Sequence, residues 1–344
     1  MKAIGYFQPA AIDAPESLLD LELPAPAPGP RDLLVEVRAI AVNPVDVKVR
    51  ASRPAADAQS PVLLGWDAVG IVQAVGAEVQ GFVVGDRVWY AGEINRPGSY
   101  AQLQCVDYRI ASHAPAQLSD AEAAALPLTG ITAWELLFER LQVQSQPERP
   151  VSLLVTGAAG GVGSILLQLA RRLPHLTLIA TASRPAERPD AVQYLRELGA
   201  HHVIDHSQPL APQIAALNAA PLRYTASLTH TPQHFQTIVD AMEPQGRVAV
   251  IDDFAPDAIN FMAMKGKSLS LHWEMMFVRP LHQTHDIAAV GALLAELARG
   301  VDKGELRSTL GEVLGPINAA TLKRAHTMLE SQHTRGKLVL QGWA

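Results

Sequence analysis

The chain has 344 residues, too many for one ordinary core, so two domains are expected. Lys plus Arg number 28 against 34 Asp plus Glu, a formal net charge of −6, which argues against a surface built to grip nucleic acid. The single cysteine, Cys105, cannot form an internal disulfide, and neither an uncharged apolar stretch long enough to span a membrane nor a signal peptide is evident; a cytoplasmic protein is expected.

The first third reads as β-rich. Leu33–Ile40 is a partly alternating, β-branched strand, Gly70–Gly76 a second, and Val83–Trp89 a turn feeding a third. Prolines 24, 26, 28 and 30 make an extended connector. The middle changes character. Val151–Thr156 is an apolar strand, followed by a glycine cluster and a helix from Ser164 to Leu173 that Pro174 stops. Leu176–Thr181 is a strand, Asp190–Leu198 a helix closed by Gly199, and His202–Asp205 a strand. Tyr224–Leu228 and Arg247–Asp252 are strands around a helix near Gln233–Met242, and Ser268–His272 is a sixth strand. Strands alternating with helices predict a doubly wound parallel sheet of six strands, two mononucleotide-binding halves. In the tail, a helix from Thr284 to Arg299 precedes a strand, Gly336–Leu340, expected to rejoin the first domain.

The strongest motif is Val155-Thr156-Gly157-Ala158-Ala159-Gly160-Gly161-Val162-Gly163, which leaves a strand and opens a helix. Small residues there let the backbone turn tightly and approach a pyrophosphate, whose charge the free N–H groups of a helix N-terminus meet. Gly160 and Gly163 fit the second and third glycines of G-x-G-x-x-G, and Ala158 stands at the first. About twenty residues on, Thr181-Ala182-Ser183-Arg184 brings no carboxylate to the strand end; Ser183 can donate, and Arg184 suits the 2′-phosphate of NADPH. Arg184 in a solvated loop is the alternative, and Glu187 is the one nearby acid that tempers the reading.

With these motifs in view the chain resembles the medium-chain dehydrogenase/reductase superfamily over its full length, and within it the zinc-free quinone oxidoreductase-like branch, in the subgroup labelled zinc-type alcohol dehydrogenase-like. The residues carrying the resemblance are Asn43-Pro44-Val45-Asp46, Gly65-Trp66-Asp67-Ala68-Val69-Gly70, Val84-Gly85-Asp86-Arg87-Val88, Leu126-Pro127-Leu128-Thr129-Gly130, the glycine turn and Gly336-Lys337. It implies a Rossmann domain (126–272) inserted in a β-rich GroES-like catalytic domain (1–125 and 273–344), a cofactor in the cleft between them, and a homodimer paired through the Ser268–His272 edge. It assigns Ala158, Gly160, Gly161, Val162, Gly163, Ser183, Arg184, His206, Ile251 and Lys337 to the cofactor, and Asn43 and Thr129 to the neighbourhood of the nicotinamide. Zinc-dependent relatives place a cysteine, a histidine and a second cysteine where this chain has Asn43, Trp66 and Ala125, so no metal is expected. His201, His202 and His206 read as strand and loop residues, with a metal site the alternative.

Without a Lewis acid an unactivated ketone is hard to polarise, whereas a quinone or conjugated enone is already electron-poor. The expected function is therefore NADPH-dependent hydride transfer to such a small molecule, with Asn43 and Thr129 orienting the reactants and Trp66, Tyr90, Trp273 and Phe277 lining an apolar pocket or contributing to core. For Asn43, a turn residue before Pro44 is the plainer reading. A metal-free carbonyl reductase and a non-catalytic NADPH-binding protein share every motif.

Overall fold

A computed structural model describes residues 1–143, 149–331 and 334–344. The chain divides into two compact units, Met1–Ile131 with Phe277–Ala344, and Thr132–Met276. In the first, β1 (Lys2–Tyr6), β2 (Leu19–Glu22), β3 (Asp32–Val42) and β4 (Val62–Leu63) are followed by β5 (Asp67–Val75), β6 (Arg87–Tyr90), β7 (Leu103–Asp107) and β8 (Ala111–His113). Helices α1 (Pro44–Ser52), α2 (Asp120–Ala124) and α3 (Pro127–Trp134) complete this stretch. β1 takes β2 and β4 as antiparallel neighbours. β3 is the spine of the larger sheet: Val35, Val37, Ala39, Ile40 and Ala41 are fully buried, and the strand pairs antiparallel with both β5 and β7. Gly85, at φ 97°, makes the turn into β6 in a conformation that glycine alone adopts without strain.

In the second unit β9 (Val151–Val155), β10 (Leu176–Ala182), β11 (His202–Asp205), β12 (Leu222–Ser227), β13 (Arg247–Val250) and β14 (Ser270–Trp273) lie parallel. Their spatial order is β11-β10-β9-β12-β13-β14, the expected doubly wound sheet. Helices α4 (Gly161–Ala170), α5 (Pro189–Leu198), α6 (Leu210–Ala216) and α7 (Thr231–Ala241) connect the strands. Leu154, Ile179, Ile204, Leu222, Ile238 and Val248 form one buried cluster, each worth about 1.5–3 kcal/mol of burial. The chain order reverses between β9 and β12, so a crevice opens at the carboxyl ends of these strands. Glu274, just beyond β14, is buried, which pushes its pKa up, and it pairs with Arg140 at 2.7 Å.

The tail returns to the first unit through α8 (Val278–His282), α9 (Ala289–Asp302), β15 (Leu310–Ile317), α10 (Ala319–Glu330) and β16 (Lys337–Trp343). β16 pairs antiparallel with β3, Leu338 opposite Val42 and Leu340 opposite Ile40. The helix expected from Thr284 begins five residues later: Gln283 is left-handed (φ 47°), and Asp286 pairs with Arg279 at 2.9 Å, which holds this stretch as a turn. The sixth strand starts at Ser270, because Ser268 is itself left-handed (φ 50°). Among the described residues no helix is long and apolar enough to cross a membrane.

Candidate functional site

The glycine-rich turn sits at the carboxyl end of β9. Gly157 has φ 62°, a conformation open to glycine at little cost, and Gly160 N–H closes the turn on Gly157 O at 3.1 Å. A Cβ on Gly163 would lie 2.6 Å from Ala158 Cα and O, so α4 packs against the turn only because that atom is missing. No side chain caps α4, which leaves the N–H groups of its first turn, Gly161, Val162 and Gly163, for an anion. These features fit a pyrophosphate. The sequence motif was read from Ala158; the residue that actually makes the turn is Gly157, one position earlier.

Ser183 and Arg184 follow β10. Arg184 is left-handed (φ 44°), with its side chain 68% exposed and Glu187 3.9 Å away. Sequence reading missed Asp205. Ala182 pairs with Asp205 in the β10–β11 register, so both strands end together and Asp205 Oδ1 accepts Arg184 N–H at 3.1 Å. The same oxygen accepts Ser207 N–H (2.9 Å) and Ser207 Oγ (2.7 Å). Desolvation raises the Asp205 pKa, but these hydrogen bonds outweigh it and bring it below the usual range. His206 follows, half-buried, with its ring centre 6.1 Å from that of His234. His201 faces elsewhere in role: its Nδ1 accepts Leu178 N–H at 2.8 Å. Ile251, just past β13, donates its N–H to Ser227 O at 3.4 Å.

The first unit holds a buried polar cluster where β3, β5 and β16 meet. Asn43 Nδ2 donates to Asp67 Oδ2 at 2.8 Å, and Lys337 Nζ donates to Val42 O at 3.0 Å, to Asp67 Oδ2 at 3.0 Å and to Asn43 Oδ1. Asp67 Oδ1 accepts Leu128 N–H at 2.7 Å. Asp46 accepts Asn43 N–H at 2.7 Å and Gly65 N–H at 2.9 Å. Burial pushes the Asp46 pKa up to about 7, against the Asn43 hydrogen bond and Lys337. Tyr100 Oη lies 3.2 Å from His326 Nε2, and burial holds that imidazole neutral, its pKa down to about 3. Thus Asn43 and Lys337, assigned to different roles from sequence, are brought together in one network with Asp67, and Asn43 both shapes the start of α1 and spends its amide inside the protein.

Thr129 is buried on α3, its hydroxyl donating to Leu126 O at 3.2 Å. Trp66 and Phe277 meet edge to face, ring centres 5.9 Å apart, and the Trp66 indole N–H donates to Glu93 O at 3.1 Å. Tyr90 is fully buried on β6, and burial raises its pKa. Trp273 stands on β14 in the second unit, 53% exposed, its ring centre 5.3 Å from that of Phe254.

Residues 29–116 match the alcohol dehydrogenase GroES-like domain and residues 198–340 the zinc-binding dehydrogenase family. A zinc-type alcohol dehydrogenase-like protein of Staphylococcus aureus is 36% identical over 342 residues, 99% of both chains. The crystal structure of a putative zinc-dependent alcohol dehydrogenase from Rhizobium etli is 50% identical with a TM-score of 0.95, covering 100% of this chain and 98% of that one. Escherichia coli quinone oxidoreductase complexed with NADPH shares the fold at 24% identity and a TM-score of 0.80, over 99% of this chain and all of its own. The chain is an oxidoreductase of the medium-chain dehydrogenase/reductase superfamily and belongs with its zinc-type alcohol dehydrogenase-like proteins.

Proposed function

We propose that the protein reduces quinones or α,β-unsaturated carbonyl compounds with NADPH and without a metal. The observation that carries this reading is the chemistry at the three positions that hold zinc in metal-dependent relatives. Asn43 is a buried amide bonded to Asp67 and Lys337, Trp66 a buried indole whose nitrogen is donor-only, and Ala125 a methyl group. None offers a thiolate or imidazole, so this donor set does not fit zinc. A substrate that arrives with its own electron-poor carbon suits such a site.

Support for NADPH comes from the β10 end. The Arg184 guanidinium is exposed, with Glu187 3.9 Å away, and Asp205 Oδ1 is taken up by three donors, the Arg184 backbone N–H among them. A 2′-phosphate supplies a stronger partner for Arg184. When bound, the nicotinamide supplies the hydride. In the second unit the chain's part is to seat the pyrophosphate on the turn from Gly157 to Gly163. In the first unit the Asn43 amide is spent on Asp67 and Lys337 and the Thr129 hydroxyl on Leu126 O, so these two act as fixed framework, and the Trp66–Phe277 pair supplies apolar surface against water. Lys337 acts by holding Asn43 in place.

The test is NADPH oxidation against small enones and quinones after exhaustive chelation, alongside elemental analysis. Chelator-insensitive turnover is expected. Stoichiometric zinc coupled to chelator-sensitive turnover refutes the metal-free reading, and turnover confined to saturated ketones rejects the substrate class.

We also propose a homodimer built on β14. Among the described residues that strand pairs only with β13, and Trp273 (53%), Met275 (44%), Phe261 (47%) and Met262 (66%) expose apolar surface on this unit. An unpaired edge with such surface invites the same edge of a second copy. Light scattering at micromolar concentration is expected to give twice the 36.9 kDa chain mass, and Trp273→Lys to shift it to monomer. A parent protein that stays monomeric throughout rules the pairing out.

A further inference from the structure

Three imidazoles gather on the rim where the glycine turn opens. His206 follows β11, and its N–H donates to Ala182 O at the end of β10 (3.1 Å). His230 is left-handed (φ 54°) in front of α7, with Nδ1 2.8 Å from Thr229 Oγ1. His234 lies in the first turn of α7, buried, with its ring centre 6.1 Å from that of His206. Both flanks of this cluster are fastened to the nucleotide loops. On one side Thr156 Oγ1 accepts Leu228 N–H at 3.0 Å and donates to Thr229 O at 3.4 Å, and a Cβ on Gly157 would come within 2.9 Å of Thr229 Cγ2. On the other, Arg184 N–H is bonded to Asp205, the residue before His206.

Asp205 faces the cluster from the end of β11, and Arg184 stands at the end of β10. Asp252, beyond β13, is taken up by Thr231 N–H at 2.9 Å and by the Thr231 hydroxyl. α6, residues Leu210–Ala216, brings no charge, only Gln213, whose amide bonds the Asp205 backbone. Burial pushes His206 below the usual imidazole range, with Asp205 pulling it back and His230 pushing further; burial, His206 and His230 all push His234 down. The two are therefore neutral in the free protein above neutral pH, and an added anion is what would draw a proton in.

We propose that His206 and His234, with His230 beside them, form a proton-gated wall of the nucleotide site, in which His206 and His234 take up a proton as a 2′-phosphorylated nucleotide binds and so discriminate more strongly in its favour as the pH falls. The position singles out the 2′-phosphate: the first turn of α4 addresses the pyrophosphate, whereas His206 shares its loop with Asp205 and hence with Arg184. The inference rests on the dinucleotide reading of this rim.

The probes are adenosine 2′,5′-bisphosphate and adenosine 5′-monophosphate, titrated calorimetrically into the full-length protein at constant ionic strength. Both carry the 5′-phosphate, so their affinity ratio isolates the 2′ group. Between about pH 7.5 and about pH 5.5 the ratio is expected to rise about fivefold, with proton uptake on binding the bisphosphate when buffers of different ionisation enthalpy are compared. The phosphate's own second ionisation, at about pH 6, works the other way by removing negative charge, so a flat or falling ratio without proton uptake overturns the inference. In His206→Gln and His234→Gln the rise is expected to vanish; a rise that persists in both also overturns it. Proton uptake by the parent protein decides the matter if either variant fails to fold. Binding of neither nucleotide at any pH overturns the dinucleotide reading itself, a result distinct from binding of both with a pH-independent ratio.

Discussion

Replacing Lys337 with Met is expected to destabilise the protein by about 3–5 kcal/mol, the cost of leaving a buried charge without its partner. Lys337 Nζ is the cation at 3.0 Å from Asp67 Oδ2, and both side chains are buried. Methionine fills the volume of the stem but leaves Asp67 with Asn43 Nδ2 and Leu128 N–H as its remaining donors. The pH dependence follows from Asp46. Its pKa of about 7 in the folded state lies above the unfolded value, so its contribution is full at acid pH and is lost as pH rises through about 7. Lys337 is one of the groups holding that pKa down; without it the loss moves to higher pH. Denaturant unfolding at acid and at alkaline pH measures both effects. Asp67→Asn in the Lys337→Met background removes the stranded charge and keeps an acceptor for Leu128 N–H, so it is expected to recover more than about 1 kcal/mol. A Lys337→Met cost below about 1 kcal/mol shows that the cluster is not a buried ion pair of this kind.

That network shows where a sequence stops being readable. Asn43 and Asp67 stand in local motifs, but their partner Lys337 is 294 and 270 residues away, and only the antiparallel pairing of β16 with β3 brings it in. Tyr100 and His326 meet across 226 residues and left no local pattern at all. The second unit was far more legible, because each step of a parallel sheet with crossover helices is local: an apolar run, a turn residue, an apolar face at helical spacing. Even there, contacts between neighbouring loops were hidden. Asp205 lies 21 residues from Arg184 along the chain, and the absence of an acid after β10 in sequence said nothing about one delivered by β11. Left-handed residues other than glycine were equally silent: Gln283 and Ser268 displaced the predicted starts of α9 and β14, since a polar residue at positive φ carries no signature in composition.

Gly163→Ala is expected to cost about 10- to 100-fold in NADPH affinity, the loss of one or two hydrogen bonds to a charged phosphate. The added methyl carbon meets the Ala158 backbone, with Cα and O at 2.6 Å and the carbonyl carbon at 2.7 Å. A flexible side chain can swing away from such a contact, but backbone in a tight turn cannot. Relief comes only by moving α4 away from the turn that holds Ala158, and that movement carries the N–H groups of the first helical turn off the anion they serve. Overpacking of this kind also costs about 1–3 kcal/mol of stability, so the melting temperature should fall together with affinity. Gly160→Ala is the contrast: its Cβ would meet only Gly157 O at 3.3 Å, and its backbone is at φ −74°, open to any residue. It should fold normally and lose affinity only through direct crowding of the pyrophosphate. Calorimetric titration of NADPH into both variants, after a melting curve has established that each is folded, separates the two effects. A folded Gly163→Ala protein that binds NADPH within about twofold of the parent, less than the worth of a single charged hydrogen bond, would show that the pyrophosphate does not sit on this turn.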